Sequence, residues 1–233
     1  MRAIEAKDDG RRLVWDLPVR VAHWALVAGV AGAFATHYAG TAWFAWHRAC
    51  GYAVFVTVAF RILWGVVGTR HARFASFVRG PRAVLSQLAG RGRVAGAGHS
   101  PLAALSVVAM LAVVAVQALT GLCANDEIAN TGPFYGWITP AASNRLTAVH
   151  AWNSKLLLGL VGLHLAAIAW YALARGRRLV RAMIDGRRPA TEVAPDEAID
   201  GSRTWLAIAL AAMVAGALAL AVRAAPPAEI AIW

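Results

Sequence analysis

The chain has 233 residues, 59% of them hydrophobic and only 15% charged, with a mean hydropathy of +0.55. A water-soluble globule carries nearer a quarter charged residues, and a nucleic-acid-binding domain needs a basic face with interleaved aromatics; neither description fits. The net charge of +11 therefore has to be read from where it falls between apolar runs.

Five runs are long enough to span a bilayer, at about 19–38, 47–68, 102–122, 147–173 and 204–222. The first follows basic residues but has no small-residue cleavage site after a short apolar core, and it holds His23 near its start. It reads as a retained anchor rather than a signal peptide. It also carries Arg20 and His37, and the second run carries His47, Arg48, Gly51 and Arg61. The connection 69–101 contains FASFVRGPRAVLSQLAG, apolar and basic by turns. That pattern fits either a surface-lying helix or a solvated loop. Its two histidines, His71 and His99, read as ordinary loop residues, and GHSP punctuates the return to the membrane. The third run carries Gln117, an interhelical hydrogen-bonding residue by type. The fourth carries His150, Asn153, Lys155 and His164. The fifth, TWLAIALAAMVAGALALAV, is rich in alanine with no ionisable residue, which suits an accessory span or a docking surface.

Positive charge alternates between the connections. The stretches 1–20, 69–101 and 174–203 hold 18 of the 23 basic residues, whereas 39–46 and 123–146 offer only Arg145, beside Asp126 and Glu127. The positive-inside rule then puts the N-terminus in the cytoplasm and the C-terminus in the periplasm of a multi-pass inner-membrane protein. The division expected is a cytoplasmic segment 1–18, a transmembrane bundle 19–186, a cytoplasmic linker 187–203, an accessory helix 204–222 and a periplasmic tail 223–233. Trp15, Trp43, Trp46, Trp137 and Trp152 fall near the interfaces, where an aromatic belt is expected. Cys50 and Cys123 belong to no C-x-x-C-H segment, which excludes covalent haem attachment, and read as buried free thiols.

Five histidines lie in or at the ends of apolar runs, where an ionisable group is costly and marks function. His150 and His164 are 14 residues apart. On a helix that spacing returns to within about 40° of the same face, about 21 Å further along the axis. One face thus presents an imidazole near each membrane surface, and two iron macrocycles stacked across a bilayer would each take one of them. Depth pairs His23 with His164 and His47 with His150. His37, 14 residues after His23, competes with His47, and periodicity does not separate them. Two histidines leave no open position on an iron, which suits electron transfer. Arg61, 14 residues after His47, shares its face at the level of His23. It could pair with a propionate or quinone, or snorkel to the interface. Arg20 and Lys155 are similar candidates, and Gly51, one turn after His47, leaves room for a macrocycle edge.

The stretches WDLPVRVAHW, HRACGYAVFVTVAFRILWGVVGTRHARFASFVRGP, GHSP, LTGLCANDEIANTGP and LTAVHAWNSKLLLGLVGLHLAAIAWY resemble the bacterial cytochrome b-561 family, which includes the b-type cytochrome subunit of nickel–iron hydrogenases. The resemblance covers about 15–186. It implies an all-α membrane protein: a four-helix bundle with two bis-histidine haems b, here with a fifth, C-terminal helix. The family's H-x-x-x-G-Y histidine is its second-helix ligand, which favours His47 over His37. The implied ligands are His23, His47, His150 and His164, with Arg61, Arg20, Lys155 and Gly51 as further cofactor contacts.

The resemblance implies electron transport between the quinone pool, with a bound quinone as a further cofactor, and a separate redox protein such as a periplasmic c-type cytochrome or hydrogenase. That partner would dock on ANDEIANTGPFYGWITPAASN. Membrane lipid is the other partner, nucleic acid is none, and a homo-oligomer is left open. The alternative is a superoxide:quinone oxidoreductase acting alone, with Arg48, Arg145 and Lys155 steering the anion and Asp126 and Glu127 opposing.

Overall fold

The computed structural model describes residues 10–91 and 98–227. Arg2, Lys7 and Arg93, counted above among the basic residues, lie outside them. Five helices are long and apolar enough to cross a membrane. They are α1 (Leu17–Tyr38), α2 (Phe44–Val67), α5 (Pro101–Leu122), α6 (Pro140–Arg175) and α8 (Thr204–Ala224). The chain is an all-α membrane protein, with shorter helices α3 (Phe74–Phe77), α4 (Pro81–Leu88) and α7 (Leu179–Asp185) on the basic side.

Local chemistry sets the helix ends. Asp16, Ser100 and Thr139 cap α1, α5 and α6, each accepting an N–H from the first turn, and each is followed by a first-turn proline. A capping oxygen satisfies an orphan N–H, and proline loses nothing where no N–H is needed. Helix α6 begins seven residues before the apolar run because the Thr139–Pro140 start lies outside the hydrocarbon-length segment. It stops at Gly176, in the left-handed region at φ 61°, where glycine has no Cβ to clash.

α1 packs along α2, α2 along α5 and α8, and α5 along α6. Glycine permits the approach of α1 to α2. A Cβ on Gly29 would lie 2.8 Å from Val54 Cγ2, and one on Gly32 2.9 Å from Cys50 Sγ. Small residues let helices approach where lipid offers no hydrophobic drive. Cys50 and Cys123 are both free and half-buried.

Two apolar clusters result. One, mid-bundle, joins Val54 and Val58 of α2 to Leu111, Val114 and Ala118 of α5 and Leu157 of α6. The other lies on the basic side and includes Val14, Trp15, Phe60, Trp64 and Ala182. Trp15 is therefore core rather than belt, whereas Trp43, Trp46, Trp137 and Trp152 are exposed.

The basic side is ordered by long-range bonds. Strand β1 (Arg11–Leu13) pairs antiparallel with β2 (Arg187–Pro189). Arg11 bonds both carboxylate oxygens of Asp185, at 2.5 and 3.2 Å, and Ile199 N–H donates to Leu13 O at 3.0 Å. Residues 187–199 thus pack against the chain preceding α1. The connection 69–101 does contain helices, and Gln87 at the end of α4 accepts the Leu102 N–H at 3.0 Å.

On the opposite side, Asp126 ties its loop together. It accepts from the backbone of Ile128, Ala129 and Asn130 and from the Asn130 side chain. Slight burial pushes the Asp126 carboxyl up, but these bonds outweigh it and hold the group at about 2.

Candidate functional site

The 14-residue spacings place polar side chains at two levels. On α1 the series is His23, Val30, His37; on α2 it is His47, Val54, Arg61; on α6 it is His150, Leu157, His164. Each middle residue is seven from both ends, on the same face. Val54 and Leu157 are buried in the mid-bundle cluster and Val30 packs against it. An apolar layer therefore separates a level containing His23, Arg61 and His164 from one containing His37, His47 and His150.

At the second level three imidazoles stand in a row. The ring centres of His37 and His47 are 6.0 Å apart, and those of His47 and His150 are 6.4 Å apart. A metal held between two imidazoles at about 2 Å each puts the ring centres about 6 Å apart. Distance alone suits either pair. The surroundings favour the second: His37 is exposed, while His47 and His150 are half-buried.

Hydrogen bonds orient both rings of that pair. His47 Nδ1–H donates to Ala33 O at 2.9 Å, which leaves the Nε2 lone pair available. His150 Nδ1–H donates to Gln117 O at 2.9 Å, with Thr120 Oγ1 at 3.2 Å. Fixing one nitrogen on a carbonyl selects the neutral tautomer that binds a metal through the other. At His150 that other nitrogen accepts from the Gln117 side-chain amide at 3.0 Å, and Gln117 Oε1 accepts from Asn153 at 2.7 Å. Metal ligation there requires this amide to turn aside. Gly121 sits under the ring, where a Cβ would come within 2.9 Å of His150 Cε1. At Gly51 a Cβ would meet no atom within 4 Å, so that face of α2 has room for a macrocycle edge.

At the first level His23 and His164 are both half-buried and within electrostatic reach of each other. Four buried side-chain polar atoms lack a hydrogen-bond partner among the described residues: Arg20 Nε, His23 Nδ1, Arg61 NH1 and His99 Nδ1. All four belong to this side of the protein. The two arginine nitrogens can only donate, and leaving a buried donor unpaired costs about 1–3 kcal/mol, so both call for acceptor oxygens. A haem with two propionate carboxylates fits these two arginine donors, and the paired imidazoles fit its iron.

The remaining sequence candidates divide. Arg61 is buried, with its guanidinium 5.4 Å over the Phe74 ring. Arg20 donates through NH1 to Ile184 O at 2.5 Å. Lys155 is turned away from the histidine face: exposed, with its ammonium 4.1 Å from the Trp152 ring centre.

Sequence reasoning missed His71, His99 and Asp16. His71 is buried and bonds Glu197 O at 2.7 Å. His99 lies 4.6 Å, ring centre to ring centre, from both Trp15 and Phe77. The GHSP motif marked a turn but not its inward histidine. A buried Asp before a membrane helix, in WDLP, was the available signal for Asp16.

Burial pushes His99 down to about 4, with the charges of Arg61 and His71 adding to the effect. The folded value lies below the ordinary 6.5, so the unfolded chain binds this proton more readily. His99 then costs no stability above pH 6.5, and stability falls as pH drops from 6.5 to about 4. The melting temperature should decline over that window, and His99→Phe should flatten the decline. An unaltered pH profile in His99→Phe would assign the loss to another group.

A family model described as prokaryotic cytochrome b561 matches residues 14–186. No curated protein matches the chain.

Proposed function

Because the chain belongs to the prokaryotic cytochrome b561 family, and is thus a membrane b-type cytochrome of electron transfer, we propose that it carries electrons across the bilayer between two haems b, one at each histidine level. The observation that carries this reading is the repeated seven-residue layering on α1, α2 and α6: polar ligands at two depths, apolar side chains between. The levels are about 21 Å apart along a helix axis. A bound haem supplies one-electron chemistry through its iron.

The chain's own residues do the rest. His23 and His164 ligate at one level, and His47 and His150 at the other. Ala33 O and Gln117 O hold the second pair in the metal-binding tautomer. Arg61 and Arg20 supply donors for propionate carboxylates, or for a quinone carbonyl, at the first level. The basic side faces the cytoplasm, as the distribution of arginines favours. The electron passes between a quinone and a separate redox protein, which docks on the loop tied together by Asp126.

A second reading, oxidation of superoxide with reduction of quinone by this chain alone, draws on one observation. Exposed Arg48 lines a hollow of about 350 Å³ with Thr41, Phe44 and Asn130 on the His47 side, where a cation would attract a small anion.

Purified protein should show reduced b-type absorption bands and two haems per chain by pyridine haemochrome assay. Absence of the bands would sink the haem assignment, and one haem per chain would sink the two-level conduit. Stopped-flow mixing with superoxide separates the second reading, which requires fast haem reduction.

A further inference from the structure

Asp16 is the most buried charged side chain among the described residues, at 1% exposure. Its Oδ1 accepts the Val19 N–H at 2.7 Å, capping α1. Its Oδ2 accepts the Trp64 indole N–H at 3.1 Å and the Thr69 hydroxyl. One carboxylate thus ties α1 to α2 and to the turn that follows α2. Both oxygens act as acceptors and every donor is neutral, so the hydrogen bonds stabilise the negative charge without cancelling it. The compensating cation is Arg61, one turn before Trp64. It interacts with Asp16 through space, but no salt bridge joins them.

Asp16 is also seven residues before His23. As the N-cap of α1 it stands about 10 Å from His23 along the helix axis. A buried charge at that range is little screened by salt. A negative charge favours the oxidised, more positive iron and lowers its potential; a positive charge raises it.

We propose that Asp16 sets the reduction potential of the haem at the His23 level, with Arg61 as its counter-charge, besides fixing the depth of α1 against α2. The proposal rests on the two-haem reading above. It makes the two haems unequal by construction: the His47 level has no buried carboxylate among the described residues.

The test is a potentiometric titration of the purified, haem-loaded full chain. The haem lost in His164→Ala identifies the His23-level centre. Asp16→Asn keeps the shape and the Val19 cap while removing the charge. It should raise the potential of that haem and leave the other unmoved. Arg61→Gln should lower the potential of the same haem. An unmoved potential, equal shifts of both haems, or shifts of the same sign in the two variants would each overturn the proposal. If Asp16→Asn fails to fold, Asp16→Ser, whose hydroxyl still caps α1 without the charge, takes its place: it should raise the same potential, and an unmoved potential would overturn the proposal. Fewer than two haems in the parent protein would instead overturn the underlying two-haem reading.

Discussion

Replacing His150 with alanine should halve the haem content, from two per chain to one, while the haem at the His23 level stays in place. With His150 gone, the alternative left at that level is the His37–His47 pair, 6.0 Å between ring centres, and the exposure of His37 disfavours it. A haem that His47 and His150 would hold would lose one of its two protein ligands, and b-type haem has no covalent tether to retain it. The ring is also built in: Gln117 O and Thr120 meet Nδ1, and Gly121 leaves space beneath it. The companion experiment resolves the pairing. His47→Ala should lose the same haem, and His37→Ala should keep it. The reverse result would make His37 the ligand, and retention of both haems in His150→Ala would refute the arrangement at that level.

Trp64→Ala should cost about 3–5 kcal/mol of stability, the range for deleting a large buried aromatic. Trp64 is fully buried, stacks on Phe60 at 5.7 Å between ring centres, and gives its indole N–H to Asp16. Alanine would open a cavity in the basic-side cluster and leave a buried carboxylate short of a donor, and the two losses act together. Trp64→Phe separates them: it restores most of the volume but not the N–H, so it should recover part of the loss. Thermal unfolding in detergent, at fixed pH and lipid, measures both variants. A Trp64→Ala protein as stable as the parent would show that Asp16 and the apolar cluster do not hold α1 to α2.

The amino-acid sequence by itself determined the five spans, the alternation of arginine-rich connections and the 14-residue spacings. Hydropathy, charge and helical periodicity are all local, and the apolar length needed to cross a membrane leaves little freedom. The family match over residues 14–186 agrees with what WDLPVRVAHW, the His47 stretch and the His150–His164 helix already resembled.

Tertiary structure alone decided which side chains meet. No periodicity pairs Arg11 with Asp185, 174 residues away, or puts Asp16 against Trp64 and Thr69. The inward course of His71 and His99 likewise depends on Trp15, Phe77 and Glu197, from three separate segments. Lys155 was legible as a cation near His150, but its angle around α6 turns it onto Trp152. The row His37, His47, His150 explains why spacing left a tie: α1 and α2 end side by side, so both rings reach the same place. Exposure and the Ala33 bond, which exist only once the helices pack, favour His47.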